Sequence, residues 1–290
     1  SIGSIYTLSV FVPEFESRFG VSRSVATLPS SVQVGMFIFF SPLAGNFVYV
    51  MGPRVSYAIG GSLMVLTWLS VSFCTNSPFA YTVLLHGLLA GLGCSLLYNA
   101  SVCVPAFWFK KRRGVATSAC VVGGGVGNLV LPPITSAFFA TSMAASQRVL
   151  CAITASMVIL SIVLTSLPRH VQEDISSRKL NSANLLKADF SFYKIPSYRY
   201  TSCAIFFFQC AFFVPLAHLA ASAEDEGRDV DERGIIVMMT GVGNTLGRVS
   251  IGFFADRFGV KLTGFCTFSY MCHSLPCELL LTYSPVCKTF

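Results

Sequence analysis

Long apolar runs separated by short polar stretches dominate the pattern along the chain. An opening run closes at Val12-Pro13, and eight further runs of about 20 residues follow it, which is the length that a helix needs to cross a bilayer core. These runs lie near 25–51, 55–75, 80–107, 114–141, 148–168, 198–222, 234–255 and 262–284. A spanning segment must satisfy its backbone hydrogen bonds internally, and runs of this length favour helices over barrel strands. The pattern therefore predicts an all-α membrane protein with about nine transmembrane helices, the first of which lacks its start.

Composition supports an integral membrane protein and disfavours an enzyme. The chain is 53% hydrophobic and 11% charged, against roughly 25% charged residues in soluble domains. Its 11 cysteines are dispersed and odd in number, which argues against a disulfide framework or a zinc site. No polar segment gathers a nucleophile, a base and an orienting acid, and no phosphate-binding glycine loop follows a strand pattern. We therefore expect no enzyme activity, no cofactor and no metal.

The distribution of basic residues predicts the orientation in the membrane. Loops after the second, fourth, sixth and eighth runs hold thirteen lysines and arginines, whereas the opposite loops hold five. Because lysine and arginine accumulate in cytoplasmic loops, the even-numbered loops are predicted to be cytosolic. The net charge of +7 then reflects topology, and nucleic-acid binding is not expected.

The chain divides into two helical parts. The longest polar stretch, 169–197, predicts a cytosolic linker between an amino-terminal half at 1–168 and a partial carboxy-terminal half at 198–290. An internal echo supports duplication, since the spacing of one glycine-and-cation motif recurs 207 residues later, as Gly45, Gly52 and Arg54 and again as Gly252, Gly259 and Lys261. Two duplicated six-helix halves predict twelve helices in a full protein. Gly123 to Gly127 and the pair Gly243 and Gly247 predict small-residue faces for close helix approach, whether static or sliding.

One charge interrupts an apolar segment. Arg248 lies between Gly234 and Ala255 in a run that is otherwise apolar, where a guanidinium is disfavoured by at least ~2.5 kcal/mol and normally faces a protein interior or an aqueous cavity. Its planar fork fits a carboxylate, so Arg248 is the predicted substrate anchor. The alternative is a structural arginine paired with backbone carbonyls. Asn244, one turn earlier on the same face, could donate to the same solute but cannot accept and release a proton.

Two histidines in membrane segments are candidates for titration. His86 and His218 both lie in apolar runs, and histidine changes charge near neutral pH. The alternative for each is a structural hydrogen bond.

A specific run resembles the monocarboxylate transporters of the major facilitator superfamily. Residues 108–116 read WFKKRRGVA and continue into a glycine series, similar to the signature at the start of the fifth helix in that family. Further matches are Phe11 to Phe15 with Phe19 to Ser24, Gly52-Pro53-Arg54, and Gly241 to Arg248 with Gly252 and Asp256-Arg257. The resemblance implies a major facilitator superfamily fold truncated at both ends, with about nine of twelve helices present. It also implies transport of a small organic anion by alternating access.

The chain also departs from the proton-linked members. Those typically carry a lysine in the first helix and an aspartate four residues before the eighth-helix arginine. Here Ser1 to Pro13 contain no lysine and the second position is Asn244, so we expect facilitated or otherwise-coupled transport. The likeness ends near residue 265.

The resemblance assigns further residues and partners. Tyr98 matches a family position and is predicted to line the cavity, with packing as the alternative. A cytosolic gate is expected from charge pairs and helix-end contacts, with plain positive-inside topology as the alternative; its members are Arg112, Arg113, Asp256 and Arg257. Family members often need a single-span accessory glycoprotein, which is therefore a candidate partner, and the plasma membrane is the expected location. Competing functions are a non-transporting sensor or partner-binding relative, and a carrier of neutral or zwitterionic solutes.

Overall fold

The computed structural model describes residues 2–73, 78–109, 111–139, 142–168 and 230–259, with short stretches at 171–173, 175, 194–196, 199–200 and 203. The described residues form helices and connecting turns. The first elements are α1 (Ile2–Thr7), a 3-10 turn (Leu8–Phe11), α2 (Val12–Phe19), α3 (Arg23–Ala26), α4 (Leu28–Phe39), α5 (Ser41–Met51) and α6 (Pro53–Phe73). Then follow α7 (Phe79–Thr82), a π-helix (Val83–Leu89), α8 (Ala90–Trp108), α9 (Arg113–Phe139), α10 (Met143–Leu164) and α11 (Val230–Phe258).

The all-helical membrane architecture predicted from the apolar runs is confirmed. Within the described part of the chain, four helical stretches are long and apolar enough to cross a membrane, at Pro53–Phe73, Phe79–Pro105, Gly114–Thr135 and Met143–Leu164. The second predicted run forms a helix pair bent by 52° between Phe39 and Ser41. Pro42 stands in the first turn of α5, where its missing N–H costs least. The bend was not predicted, although this proline is its sequence signal.

The predicted end of the first segment at Pro13 was wrong. The chain stays helical as α2 to Phe19, and Pro13 occupies the first turn of that helix, where a proline breaks no hydrogen bond. Phe15 is buried, and the Phe19 and Phe79 rings lie 5.3 Å apart between centroids. This aromatic packing holds α2 on α7 and extends the element beyond the proline.

The amino-terminal bundle packs around α6, which contacts both α8 and α10. At the α6–α8 crossing the backbones touch, since a Cβ added to Gly93 would lie 2.7 Å from the Gly60 carbonyl oxygen. On the α10 side, a Cβ on Gly61 would lie within 2.9 Å of the Val158 Cβ. Met64 and Trp68 are fully buried beneath these contacts. Glycines thus allow α6 to lie tightly between its two neighbours.

Gly52 and Gly259, which occupy equivalent positions in the repeated motif, share one backbone conformation. Gly52 follows α5 with φ 89°, and Gly259 follows α11 with φ 87°, a region that residues with a Cβ rarely adopt. Each donates its N–H to the carbonyl four residues earlier, Gly52 to Val48 at 2.9 Å and Gly259 to Ala255 at 3.1 Å. The sequence similarity between the ends of the second and eighth runs is therefore matched by the same backbone geometry at the two helix ends.

Several sequence predictions lie outside the described residues. The seventh and ninth runs and most of the 169–197 linker belong to this group, as does His218. Ile175, in a described stretch of the linker, is buried and would contact a Cβ on Gly52 at 3.7 Å. The start of the linker therefore packs against the turn between α5 and α6.

Candidate functional site

α9 and α11 form an antiparallel pair that meets through small residues. A Cβ on Gly125 would lie 3.0 Å from the Thr245 Cα, and a Cβ on Gly252 would lie 2.5 Å from the Ser118 Cβ. A Cβ on Gly114 would lie 2.8 Å from the Gly252 carbonyl oxygen. Residues seven apart on a helix share one face, so these contacts follow one stripe on each helix. The two sequence-distant helices therefore approach to backbone contact, and we call this stripe the α9–α11 seam.

The predicted small-residue face at Gly243 and Gly247 is not the face of α11 that packs in the α9–α11 seam. A Cβ at either position would meet nothing within 4 Å among the described residues. Both glycines are two residues from Thr245, about 200° around the helix, so they point away when Thr245 faces α9. Close helix approach at Gly243 and Gly247 therefore stays a prediction.

Arg248 lies at the edge of the α9–α11 seam. It is half-buried, three residues after Thr245 and four before Gly252, so its side chain leaves α11 on nearly the same face. Ten residues separate it from the helix end at Phe258, about 15 Å at 1.5 Å per residue. The guanidinium therefore belongs to the interior of the helix span and not to its terminal turn.

Asp256 joins the end of α11 to the beginning of α9. One carboxylate oxygen accepts the Gly114 N–H at 2.9 Å, and the other accepts the Val115 N–H at 2.9 Å. α9 begins at Arg113, so these are N–H groups of the first turn, which have no partner within their own helix. A carboxylate there also complements the positive end of the helix dipole. Asp256 thus caps α9 from a helix more than 100 residues away in sequence.

The other predicted gate residues are arranged differently. Arg257 places its guanidinium 6.0 Å from the Phe258 ring centroid, and Arg112 is exposed, with φ 56° just before α9. Arg113 opens α9, and its side chain lies outside the described residues. Among the described side chains, Asp256 forms no ion pair with Arg112 or Arg257. Of the predicted charge pairs and helix-end contacts, the described one is a carboxylate on a helix terminus, and charge pairing with Arg113 stays a prediction.

Two predicted substrate residues occupy different helices. Asn244 is one turn before Arg248 on α11, and its side chain lies outside the described residues. Tyr98 on α8 is half-buried, with its ring edge-on to Phe37 at 5.3 Å between centroids. That contact belongs to packing between α8 and α4. A joint role with Arg248 stays a prediction for both residues.

His86 lies in the core of the amino-terminal bundle. It is fully buried in the π-helical segment Val83–Leu89, and its ring is edge-on to Trp68 at 5.1 Å between centroids. Neither ring nitrogen has a hydrogen-bond partner among the described residues. The structural hydrogen bond considered for His86 is therefore absent there, and its surroundings are those of a packed side chain.

Replacing His86 with leucine is expected to leave the melting temperature unchanged or higher. Leucine removes two polar atoms whose unpaired burial costs about 1–3 kcal/mol each, and it loses an aromatic contact worth about 0.5–1.5 kcal/mol. Thermal unfolding followed by circular dichroism in detergent measures the balance. A clear loss of stability, or a changed pH profile of uptake, would instead support a polar role for this imidazole.

Sequence reasoning missed several buried polar side chains. Gln33 and Gln147 are fully buried, and each leaves at least one amide atom without a hydrogen-bond partner among the described residues. Their signal was available, because each is an amide within or beside an apolar run. No group of three or more His, Cys, Asp or Glu side chains among the described residues could hold a metal ion.

The fold and the α9–α11 seam indicate the general class of protein to which this chain belongs. Bilayer-length apolar helices arranged around a tightly packed bundle, with an arginine inside a further long helix, characterise an integral membrane protein of the transporter type. The sequence profile of the Major Facilitator Superfamily matches residues 1–281. The chain belongs to this superfamily, whose members are membrane transporters and not enzymes.

Comparison with curated proteins confirms the resemblance to monocarboxylate transporters. The chain is 25% identical over 272 residues to monocarboxylate transporter 10 of Rattus norvegicus, covering 90% of this chain and 51% of that protein. It is 24% identical over 256 residues to monocarboxylate transporter 13 of Bos taurus, covering 88% of this chain and 58% of the relative. MFS transporter asaE of Aspergillus flavus is 21% identical over 262 residues, with 89% and 57% coverage. The chain thus spans about half the length of these relatives.

Proposed function

We propose that this protein carries small organic anions of the monocarboxylate type across a membrane by alternating access. The half-buried Arg248 beside the α9–α11 seam carries the proposal. Charged side chains within membrane spans often mark solute paths, and the two parallel N–H donors of a guanidinium match the two oxygens of a carboxylate solute. The curated relatives named as monocarboxylate transporters favour the same substrate class.

The α9–α11 seam supplies a mechanism for opening and closing one end of the path. The seam is narrow because glycine and small hydroxyl residues face each other, and such faces permit helices to separate and close without interlocking side chains. Asp256 adds a contact made only when the two helix ends are together. In this proposal the Asp256 cap stabilises the state that is closed at this end, which the basic loops predict to be cytosolic.

Coupling to protons is not expected at the Arg248 position. Asn244 occupies the residue one turn away, and an amide cannot carry a proton between the two sides as a carboxylate can. We propose facilitated or otherwise-coupled transport at the plasma membrane, with a single-span accessory glycoprotein as a candidate partner.

Arg248→Ala is expected to reduce saturable uptake of a small carboxylate by roughly 10- to 150-fold, the equivalent of losing one strong charged hydrogen-bonding contact of about 1.5–3 kcal/mol. Arg248→Lys keeps the charge but loses the two-donor fork, so its uptake should lie between that of the parent and that of Arg248→Ala. Purified protein in liposomes, assayed at two pH values with a carboxylate and with its neutral amide and zwitterionic analogues, measures the effect.

The matched control is Lys194→Ala, which removes one positive charge from an exposed position and should leave uptake unchanged. If carboxylate uptake is unchanged in Arg248→Ala, Arg248 does not bind the substrate carboxylate. If the neutral amide is taken up as fast as the carboxylate, the proposed substrate class changes from organic anions to neutral solutes. A folded, reconstituted protein that transports none of these solutes would favour the non-transporting relative.

A further inference from the structure

A cleft of about 400 Å³ opens on the far side of α9 from the α9–α11 seam. Cys120 lines the cleft, whereas Ser118 packs on Gly252 of α11. These two positions on α9 differ by about 200° around the helix. The cleft is therefore separated from the proposed solute path by the body of α9.

The described hydrogen bond between α9 and α10 lies at one end of the pair, and the cleft lies toward the other. Near their connection, the Ser146 hydroxyl donates to the Thr135 carbonyl at 3.1 Å. Toward the opposite end the cleft separates the two helices, and α6 and α8 form its back wall, where the Tyr57 hydroxyl donates to Ser101 at 3.3 Å. Leu160 and Leu164, on the α10 side of the cleft, are 51% and 69% exposed, so apolar surface borders its opening.

The lining of the cleft combines aliphatic and hydroxyl side chains. Aliphatic side chains from α8 and α10 form one wall, and hydroxyl groups from four segments form the rest: Val104, Leu160 and Leu164 for the first, and Tyr57, Ser101, Ser161, Thr165 and Ser166 for the second. Trp108 stands at the rim, half exposed, and donates its indole N–H to the Ser166 carbonyl at 3.0 Å. Indoles of this kind prefer the level of lipid head groups.

Arg54 lies at the same rim, and further cations follow Trp108 closely in the chain. Arg54 donates its Nε–H to the Thr165 carbonyl at 2.6 Å, which leaves the rest of the guanidinium fork beside the cleft. Lys111 and Arg112 are exposed three and four residues after Trp108. Two acidic side chains are described near this end: Asp256, which is already bonded to the first turn of α9, and Glu173, which is exposed in the linker. A basic rim above a partly apolar cleft between transmembrane helices fits an anionic head group with an acyl chain.

We propose that this cleft is a binding site for one anionic phospholipid. Its acyl chain lies between α9 and α10 against Leu160 and Leu164, and its phosphate lies against Arg54 and Lys111. The site is distinct from the solute anchor and does not depend on the transported substrate.

The two tryptophans of the chain allow a direct test by fluorescence quenching with brominated lipids. Trp108 stands at the cleft, whereas Trp68 is fully buried in the bundle core and provides an internal reference. The protein is reconstituted in phosphatidylcholine bilayers with increasing fractions of acyl-brominated phosphatidylglycerol or acyl-brominated phosphatidylcholine. Half-maximal quenching is expected at a lower fraction of the anionic lipid, by roughly fivefold for each basic side chain that contacts the head group.

Variants then separate a built site from general attraction to the membrane surface. Arg54→Gln with Lys111→Gln should bring the two lipids to similar quenching, whereas Arg18→Gln, which removes an exposed charge at the opposite end of the bundle, should not. Ser161→Phe fills the cleft without changing charge and should weaken quenching by the anionic lipid. In Trp108→Phe the remaining fluorescence should be insensitive to bromine.

Equal quenching of the unsubstituted protein by the two lipids would overturn the proposal. A preference for the anionic lipid that survives Ser161→Phe would also overturn it, because the head group would then bind the surface without the cleft. If the double variant does not fold, the exposed Lys111→Gln alone must still reduce the preference.

Discussion

Gly252→Ala is expected to reduce both the thermal stability and the uptake rate of the protein. The added Cβ would overlap the Ser118 side chain and lie 2.8 Å from the Gly114 carbonyl oxygen, so α9 and α11 must move apart. Overpacking of this kind costs about 1–3 kcal/mol. If the cost falls on the closed state alone, it shifts the equilibrium between states by roughly 5- to 150-fold. Thermal unfolding and initial uptake rates measure the two consequences.

Matched substitutions on the same helix make this prediction specific. Gly243→Ala adds the same atom where nothing lies within 4 Å among the described residues, and alanine is the better helix former by about 1 kcal/mol. That variant should be as stable as the parent or more so. Ser118→Gly removes the side chain that the new methyl meets, so it should partly rescue Gly252→Ala in a double-mutant cycle. Equal effects of Gly243→Ala and Gly252→Ala would contradict a packed seam at Gly252.

The helices were predictable because length and apolarity decide them locally. The run at 55–75 became Pro53–Phe73 and the run at 80–107 became 79–108, since a bilayer-length apolar stretch has few alternatives to a helix. Features inside the helices were harder. The 52° bend before α5 had a sequence signal in Pro42 that was not used. The π-helical turn around His86 depends on packing by neighbouring helices, which a single apolar run does not encode.

The candidate site was predictable in its residues and not in its contacts. Arg248 stood out because a charge in an apolar run is costly, and Asp256 stood out through the family motif. What they would contact depended on the register between α9 and α11, which are more than 90 residues apart. No local period sets that register. The sequence therefore predicted charge pairs and helix-end contacts for Asp256 without naming its partners, which are two backbone N–H groups at the start of α9.

Asp256→Asn is expected to open the contact between the end of α11 and the beginning of α9. The carboxylate accepts two N–H groups at 2.9 Å, and asparagine offers one oxygen only, so one N–H loses its partner and the favourable charge at the helix start disappears. Charged hydrogen bonds contribute about 1.5–3 kcal/mol. Because Asp256 is exposed to solvent, we expect its contribution to be near the lower value. A cysteine at Ser118, one turn further along the seam, should then react roughly tenfold faster with a membrane-impermeant maleimide. The test uses a Cys120→Ser background, because native Cys120 is exposed two residues away, and peptide-resolved mass spectrometry separates position 118 from the other native cysteines.

Salt dependence distinguishes a charge at the helix terminus from a generally loosened helix end. Raising ionic strength from about 0.1 M to 1 M shortens the Debye length from about 10 Å to 3 Å, which weakens the attraction between the exposed carboxylate and the positive end of α9. Labelling at position 118 should therefore accelerate with salt when Asp256 is present and change little in Asp256→Asn. Glu173→Gln, the same charge change at an exposed linker position, should behave as the parent does. If labelling in Asp256→Asn stays at the parent rate at low salt, the Asp256 cap does not hold the two helices together, and alternating access would need a different closing contact at this end.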